Sequence, residues 1–402
     1  MKRLLALAIS AFLACAAPAA NAQLTKEAIA LNDFASEMDH ASTAPDFVGL
    51  AVAVVKDGKV ALVRTYGVRE AGSAAKVTPE TVFRLASLSK GFAGTLAAME
   101  VKDGKLDLST KAVSVAPQFT LRRSADTSAV TLEDVLTHRV GLPPYAFDNL
   151  LEGGLSPTEI LERYKNVRPI CGVHDCFSYQ NTAFNIIATA IEQVTGKSYE
   201  AELHARILDP LGLTTTSVGR RGLISTGNWA RPHRRRGQED WYAVPVTEPY
   251  YRVPAAGGVN SSITDMAKWM IAQMGERPDV LSEDVLDEAH KKRVTTPTES
   301  SRTRSLKLPV SSTHYGLGWR IYQYAGHKLI NHSGSVEGYF AQIAWLPDKR
   351  DGIVVLANSR GSRVTKIVPT WLDYELGLEK TDWFKMEELA IAGAQPATAS
   401  GD

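Results

Sequence analysis

Apolar residues recur at helical spacing over residues 25 to about 38, and this amphipathic helix is the first element the chain predicts. Residues 47–55 and 59–69 are apolar-rich runs joined by Asp57-Gly58, a dipeptide that predicts a β-hairpin. A polar loop with Gly72 and Pro79 follows. Phe83-Arg84-Leu85-Ala86 then leads into a helix that opens at Ser87, runs to about Val101 and stops at Gly104. From 106 to about 307 the pattern is mainly helical with long loops. Short helices are expected over 131–137 and over 156–164, the second with Pro157 in the first turn, where proline is tolerated. Helical spacing returns over 182–194, up to Gly196, and over 263–274, where Ser262 and Asp265 stand three apart as in a capping box. The last third turns to short β-type runs at 315–320, 329–332, 339–346 and 352–357, broken by turn residues such as Pro347-Asp348, with a final helix near 366–375. Strands at both ends and helices between them predict one sheet built from both ends of the chain, carrying a helical insertion.

The ends and the composition narrow the setting. Lys2 and Arg3, an apolar run from Leu4 to Ala20 and the small-x-small Ala20-Asn21-Ala22 read as an export signal over residues 1–22. A membrane anchor and a lipid anchor at Cys15 are the alternatives. Removal of the signal leaves a chain of about 380 residues, large enough for a sizeable core. The expected division is a catalytic unit over 23–391 and a small, polar, disordered tail over 392–402. Within the unit, 23–105 and 308–385 form the α/β part and 106–307 the helical part. The location expected is periplasmic or secreted. A net charge of +1 gives no reason to expect nucleic acid as partner. Only Cys171 and Cys176 remain after the signal, an even pair that predicts a bridge in an oxidising compartment; two free thiols are the alternative. His174 lies between them, but no second cluster completes a metal site, and no Gly-rich phosphate loop is present. Neither metal nor cofactor is expected.

Three short motifs carry candidate chemistry. In Ser87-Leu88-Ser89-Lys90, a serine hydroxyl needs a neighbouring base, and positions i and i+3 of a first helical turn share a face. The same pattern at Ser73 to Lys76 lies in a polar loop before Pro79 and reads as chance. In Tyr179-Gln180-Asn181, a phenol beside an ammonium is expected to have a lowered pKa and to move protons, while Asn181 can contact a substrate amide. Tyr164-Lys165-Asn166 repeats that pattern among charged neighbours at the end of a helix. In His332-Ser333-Gly334-Ser335, Gly334 lets backbone approach a ligand, so the Ser335 N–H can join the Ser87 N–H in a two-donor oxyanion hole.

The order Ser-x-x-Lys, Tyr-x-Asn, His-Ser-Gly resembles the motif set of the serine β-lactamases and penicillin-binding proteins. The Tyr-x-Asn form is similar to the class C β-lactamase and DD-peptidase branch, which includes D-aminopeptidases and some carboxylesterases. Segments Thr131-Leu132-Glu133-Asp134-Val135-Leu136-Thr137-His138 with Gly141-Leu142, Leu208 to Leu213, and Ala255-Ala256-Gly257-Gly258 extend the likeness over about 45 to 375. The resemblance implies a β-lactamase/transpeptidase-like α/β fold, an antiparallel sheet flanked by helices. It implies Ser87 as acylated nucleophile, Lys90 as proton partner and Tyr179 as general base and acid. Asn181, His332, Ser333 and the Ser335 N–H would bind substrate.

One departure stands out. Class C β-lactamases usually have lysine where this chain has His332. A histidine titrating near 6.5 predicts affinity for carboxylate substrates that falls as pH rises through about 6 to 7, and it favours a peptidase or esterase over an efficient β-lactamase. The function expected is acyl transfer to water through a Ser87 ester, from an amide or β-lactam. A carboxylesterase with the same residues, and a penicillin-binding sensor that acylates without turnover, are the competing readings. Partners are a small-molecule or peptide substrate. The basic run Arg231, His233, Arg234, Arg235 and Arg236 reads as a solvated loop, or as contact with a membrane surface or anionic cell wall. Asp148, Glu152 and Glu159 give no convincing acid pair.

Overall fold

The computed structural model describes residues 25–44, 46–237 and 240–385. The expected export signal, the polar tail and the outer limits of the 23–391 unit lie outside the described residues. Eight antiparallel strands form the main sheet: β1 (Gly49–Lys56), β2 (Lys59–Gly67), β3 (Val294–Thr295), β4 (Val310–Tyr315), β5 (Arg320–Tyr324), β6 (His327–Val336), β7 (Tyr339–Leu346) and β8 (Asp351–Ala357), in spatial order β2-β1-β8-β7-β6-β5-β4-β3. The N-terminal hairpin pairs through β1 with β8, so both ends of the chain close one sheet. This is the α/β, antiparallel-sheet fold that the sequence implies.

The central strands read as continuous apolar runs because both faces are covered. In β1, Ala51, Ala53 and Val55 face the core shared with the helical region. Leu50, Val52 and Val54 face the opposite side, under helices α1 (Lys26–Ala41) and α3 (Ile367–Leu376), which supply Phe34, Met38, Ile367 and Trp371. The inner face holds helix α2 (Ser89–Lys102), buried nearly all round. Its small residues permit that burial: a Cβ on Gly94 would sit 1.9 Å from the Leu317 carbonyl oxygen.

Several elements differ from the sequence reading for local reasons. The run 315–320 is not one strand; it turns at Gly316 to Gly318 and separates β4 from β5. β6 extends to Val336, so the His332 motif lies inside a strand rather than at its end. The capping boxes at Thr131/Asp134 and Ser156/Glu159 are complete, whereas Ser262 caps Asp265 one way only, the carboxylate being engaged by Thr215 and Thr216. The basic run is not a loop. His233–Arg236 pairs with Asp240–Ala243 in a hairpin, with His233 buried. Arg231 pairs with Glu70 and Arg235 with Asp46. Arg235 and Arg236 also lie over Trp241 and Tyr242, so much of this charge is neutralised within the chain. No helix among the described residues is long and apolar enough to cross a membrane.

Cys171 and Cys176 form a disulfide, as the even count predicts. The loop they close docks on the Thr137 to Gly141 segment: the His174 N–H donates to the Arg139 carbonyl and the Ile170 N–H to that of Gly141. His174 bonds the buried Asp134 carboxylate at 2.7 Å.

Candidate active site

The chain reaches Ser87 through a strained turn. Ala86 has φ +49°, a conformation that side chains other than glycine rarely adopt and that clusters at functional sites. The turn is fastened from both sides. Ser89 Oγ donates to the Ala86 carbonyl at 2.6 Å and accepts from the Val259 N–H at 2.9 Å, while the Leu85 N–H bonds the Val259 carbonyl. Ser89 is thereby committed to structure and Ser87 remains the free hydroxyl of the motif, lining a cleft of about 310 Å³.

Lys90 is fully buried beneath it. Its Nζ lies 2.7 Å from Asn181 Oδ1, 2.9 Å from the Ala256 carbonyl oxygen and 3.3 Å from Ser87 Oγ. Burial pushes the ammonium well below the ordinary lysine range; Asp148 opposes that shift and Arg320 adds to it. A neutral amine has two hydrogens and one lone pair. Asn181 and Ala256 take the two hydrogens, which leaves the lone pair for the Ser87 hydroxyl.

The Tyr179 ring lies 4.7 Å from Lys90 Nζ and 5.7 Å from the Arg320 guanidinium carbon, and its hydroxyl bonds Ser87. The expected lowering of its pKa does not occur. Burial raises the phenol, and Arg320 and Ser87 offset only part of that rise. Tyr179 rests as a neutral proton donor, and the group poised to accept a proton is Lys90. Asn181 lines the cleft, yet its amide is largely engaged: Oδ1 accepts from Lys90 and Nδ2 donates to Asp148 at 2.6 Å. The two chance motifs fall elsewhere. Tyr164 packs in the core against Phe147, and Ser73 bonds the Glu70 carbonyl in its own turn.

Strand β6 runs beside the Ser87 turn. A Cβ on Gly334 would lie 2.2 Å from the Leu85 carbonyl oxygen and 2.7 Å from the Ser87 nitrogen, so only glycine permits this approach. Ser333, Gly334 and Ser335 line the cleft.

His332 does not line it, which corrects its assignment as a substrate contact. The Gln180 N–H donates to His138 Nδ1 at 3.1 Å. His138 Nε2 then donates to the Tyr315 hydroxyl, 3.3 Å away, and Tyr315 donates to His332 Nε2, 3.0 Å away. His332 Nδ1 finally donates to the Ser333 carbonyl at 2.9 Å. Every hydrogen in this series is accounted for with both imidazoles neutral. Burial, then Arg320 and Lys90, hold His332 well below its ordinary range, so it offers no cation that could titrate away between pH 6 and 7. The expected pH-dependent carboxylate affinity therefore loses its basis. The cations at the cleft are arginines: Arg320 on β5, Arg302 on helix Pro297–Ser305, and Arg360. Arginine holds its charge at any working pH and can grip a carboxylate with two donors.

The buried histidines carry a stability consequence. His138 and His332 are held neutral by burial, and His290 is lowered to about 3 by the same cause. Unfolded, each binds a proton below about 6.5; folded, it does not, so stability is full above that pH and is lost as pH falls. Each buried histidine is expected to cost roughly 2 kcal/mol between pH 7 and pH 5. Urea titrations at the two pH values check this, and a His290→Gln variant should lose part of the dependence. Equal stability at both values would refute it.

Sequence reasoning missed Arg320, Arg302, Arg360, Tyr145, Tyr250 and Asp148, all of which line the cleft. Asp148 gives no signal along the chain, because its acidic neighbours form no pattern there.

Comparison with known proteins agrees with this arrangement. The chain is 27% identical over 355 residues to unguisins hydrolase ungD' of Aspergillus campestris, an alignment that covers 85% of this chain and 65% of that protein. It is 26% identical to protein flp of Staphylococcus aureus strain COL, over 80% of this chain and 61% of that one. It thus spans less than two thirds of the length of these curated relatives. The fold superposes with TM-score 0.75 and 25% identity on the octameric penicillin-binding protein homologue from Pyrococcus abyssi, over 87% of this chain and 78% of that one. The family model described as Beta-lactamase matches residues 34–375, and on that extent the chain belongs to the Beta-lactamase family.

Proposed function

We propose that the protein is a serine hydrolase that forms an acyl-enzyme on Ser87 and releases it to water. The observation that carries this is the three-way seating of Lys90 Nζ between Asn181, Ala256 and the Ser87 hydroxyl, inside an open cleft. Ser87 Oγ attacks the carbonyl carbon and gives its proton to the Lys90 amine. The N–H groups of Ser87 and Ser335 receive the oxyanion, a role supported by the close run of β6 past the turn. Collapse breaks the bond to the leaving group. That group takes the Tyr179 proton, and Lys90 restores it. Water then attacks the ester by the same route in reverse, giving a carboxylic acid and free Ser87.

The substrate class proposed is an amide or β-lactam, of the D-Ala-peptidase and β-lactamase type. Support comes from the arginines: Arg320 and Arg302 stand where a substrate carboxylate can be held beside Ser87. Periplasmic or secreted location remains part of this reading, supported by the disulfide.

A chromogenic cephalosporin, a D-Ala-D-Ala peptide and nitrophenyl butyrate, compared on one preparation, test the proposal. Turnover of either of the first two is expected, with a transient mass increase on Ser87. Hydrolysis of the butyrate alone would make the protein an esterase. A lasting adduct without turnover would make it a sensor.

A further inference from the structure

The cleft has two ends of opposite character. At one, Arg320 and Arg302 lead into a mostly apolar recess beneath helix Pro297–Ser305. At the other, Tyr250 and Ser335 lead into a second space that also contains Glu152. Asp148 lines the main cleft and belongs to this second end through Tyr250. The Tyr250 hydroxyl donates to Glu152 at 2.8 Å and stands 3.5 Å from Asp148 Oδ2.

Asp148 is only 8% exposed. Its Oδ2 accepts from Asn181, while its Oδ1 is buried and has no hydrogen-bond partner. Neither Asp148 nor Glu152 forms an ion pair with a lysine, arginine or histidine among the described residues. Lys90 is near enough to be felt, but its hydrogens go to Asn181 and Ala256. A buried carboxylate oxygen without a donor is costly, and here it faces the space where substrate binds.

We propose that Asp148 is the floor of a subsite for a primary ammonium group carried by the acyl part of the substrate. This rests on the acyl-transfer reading and names the substrate more closely. The acyl part is assigned to this end because the leaving group must meet Tyr179, over which Arg320 lies. An ammonium at Asp148 Oδ1 supplies the missing donor, with Tyr145 and Tyr250 as aromatic walls. It also has a catalytic effect. The Asp148 charge favours the protonated form of Lys90, so a cation that neutralises it frees the Lys90 amine to accept the Ser87 proton. With Arg320 at the far end, the favoured substrate carries an amine before the scissile bond and a carboxylate after it, as a short peptide does.

The ammonium can be an α-amine or a side-chain amine, and one set of p-nitroanilides separates them. The set comprises D-alanyl, N-acetyl-D-alanyl, D-lactoyl and N-acetyl-D-lysyl p-nitroanilide, assayed with the full chain. D-Lactoyl replaces the amine by a neutral hydroxyl of similar size, so the comparison can be made on the wild-type protein alone. D-Alanyl should exceed D-lactoyl in kcat/KM on the order of 10- to 100-fold, the worth of one hydrogen bond to a charged group. If the side-chain amine is the occupant, N-acetyl-D-lysyl should instead exceed N-acetyl-D-alanyl by that factor. Asp148→Asn should bring the affected ratio within about threefold, whatever it does to absolute rates through Asn181. Equal rates for amine and neutral partners, or a ratio that survives Asp148→Asn, overturn the subsite and leave the hydrolase reading intact. Failure of every substrate, with no Ser87 adduct from nitrophenyl butyrate, overturns the hydrolase reading and this inference with it.

Discussion

Ser87→Ala is expected to lower kcat/KM by at least three orders of magnitude on any substrate the protein turns over, with little change in stability. The size follows from the roles that converge on one oxygen. Ser87 Oγ is the only atom proposed to bond the acyl carbon, and the Lys90 lone pair and the Tyr179 hydroxyl are both directed at it. Without it these groups can act only on water, which is neither positioned nor held, and groups that act as a unit fail together. Stability should survive because Lys90 keeps Asn181 and Ala256 as partners and the turn is fastened by Ser89 rather than Ser87. Ser89→Ala makes the contrast: it removes no reacting atom but releases Val259 and Ala86, so its effect should fall on melting temperature. Intact mass spectrometry after incubation with a β-lactam checks the first variant. An adduct on Ser87→Ala, or unchanged hydrolysis, would remove the basis of the mechanism.

What the sequence reveals and what it conceals follow from distance along the chain. Ser87 and Lys90 are legible because three residues on a helix define a face. Both candidate tyrosine motifs look alike in isolation, and the structure separates them by what surrounds them. Tyr164 is enclosed by Phe119 and Phe147, whereas Tyr179 opens on the cleft. Cleft residues from other segments are hidden for a different reason. Arg320 reaches the site because β5 pairs with β6 in a register that sets it opposite Asn331, two residues before Ser333. No local pattern announces that pairing. Asp148 depends likewise on the fold bringing helix Asp148–Glu152 beside Asn181. His332 departs from its expected role through strand parity. Alternation puts it on the face opposite Ser333 and Ser335, where Tyr315 and His138 enclose it. The recurrent segment ending in His138 then has a physical explanation. His138 anchors the Tyr179 segment through the Gln180 N–H, and Gln180 returns a bond to the Pro143 carbonyl.

Gly334→Ala is expected to lower kcat by two to three orders of magnitude while leaving the fold in place. The added methyl carbon would fall 2.2 Å from one backbone oxygen and 2.7 Å from the Ser87 nitrogen, and neither can yield as a flexible side chain does. Strand β6 is held by β5 on one side and β7 on the other, so it can shift locally without leaving the sheet. Any such shift moves the Ser335 N–H relative to that of Ser87. An oxyanion donor displaced by about an ångström forfeits most of its worth, and the loss of one donor costs on the order of 100- to 1,000-fold in kcat. Because the donor is backbone, Ser335→Ala should keep kcat within about tenfold, and that pair of results separates backbone geometry from side-chain chemistry. The effect should appear in kcat more than in KM, since the ground-state carbonyl is held less tightly than the oxyanion. Retention of kcat within threefold in Gly334→Ala, with its thermal unfolding unchanged, would place the oxyanion donors elsewhere than β6.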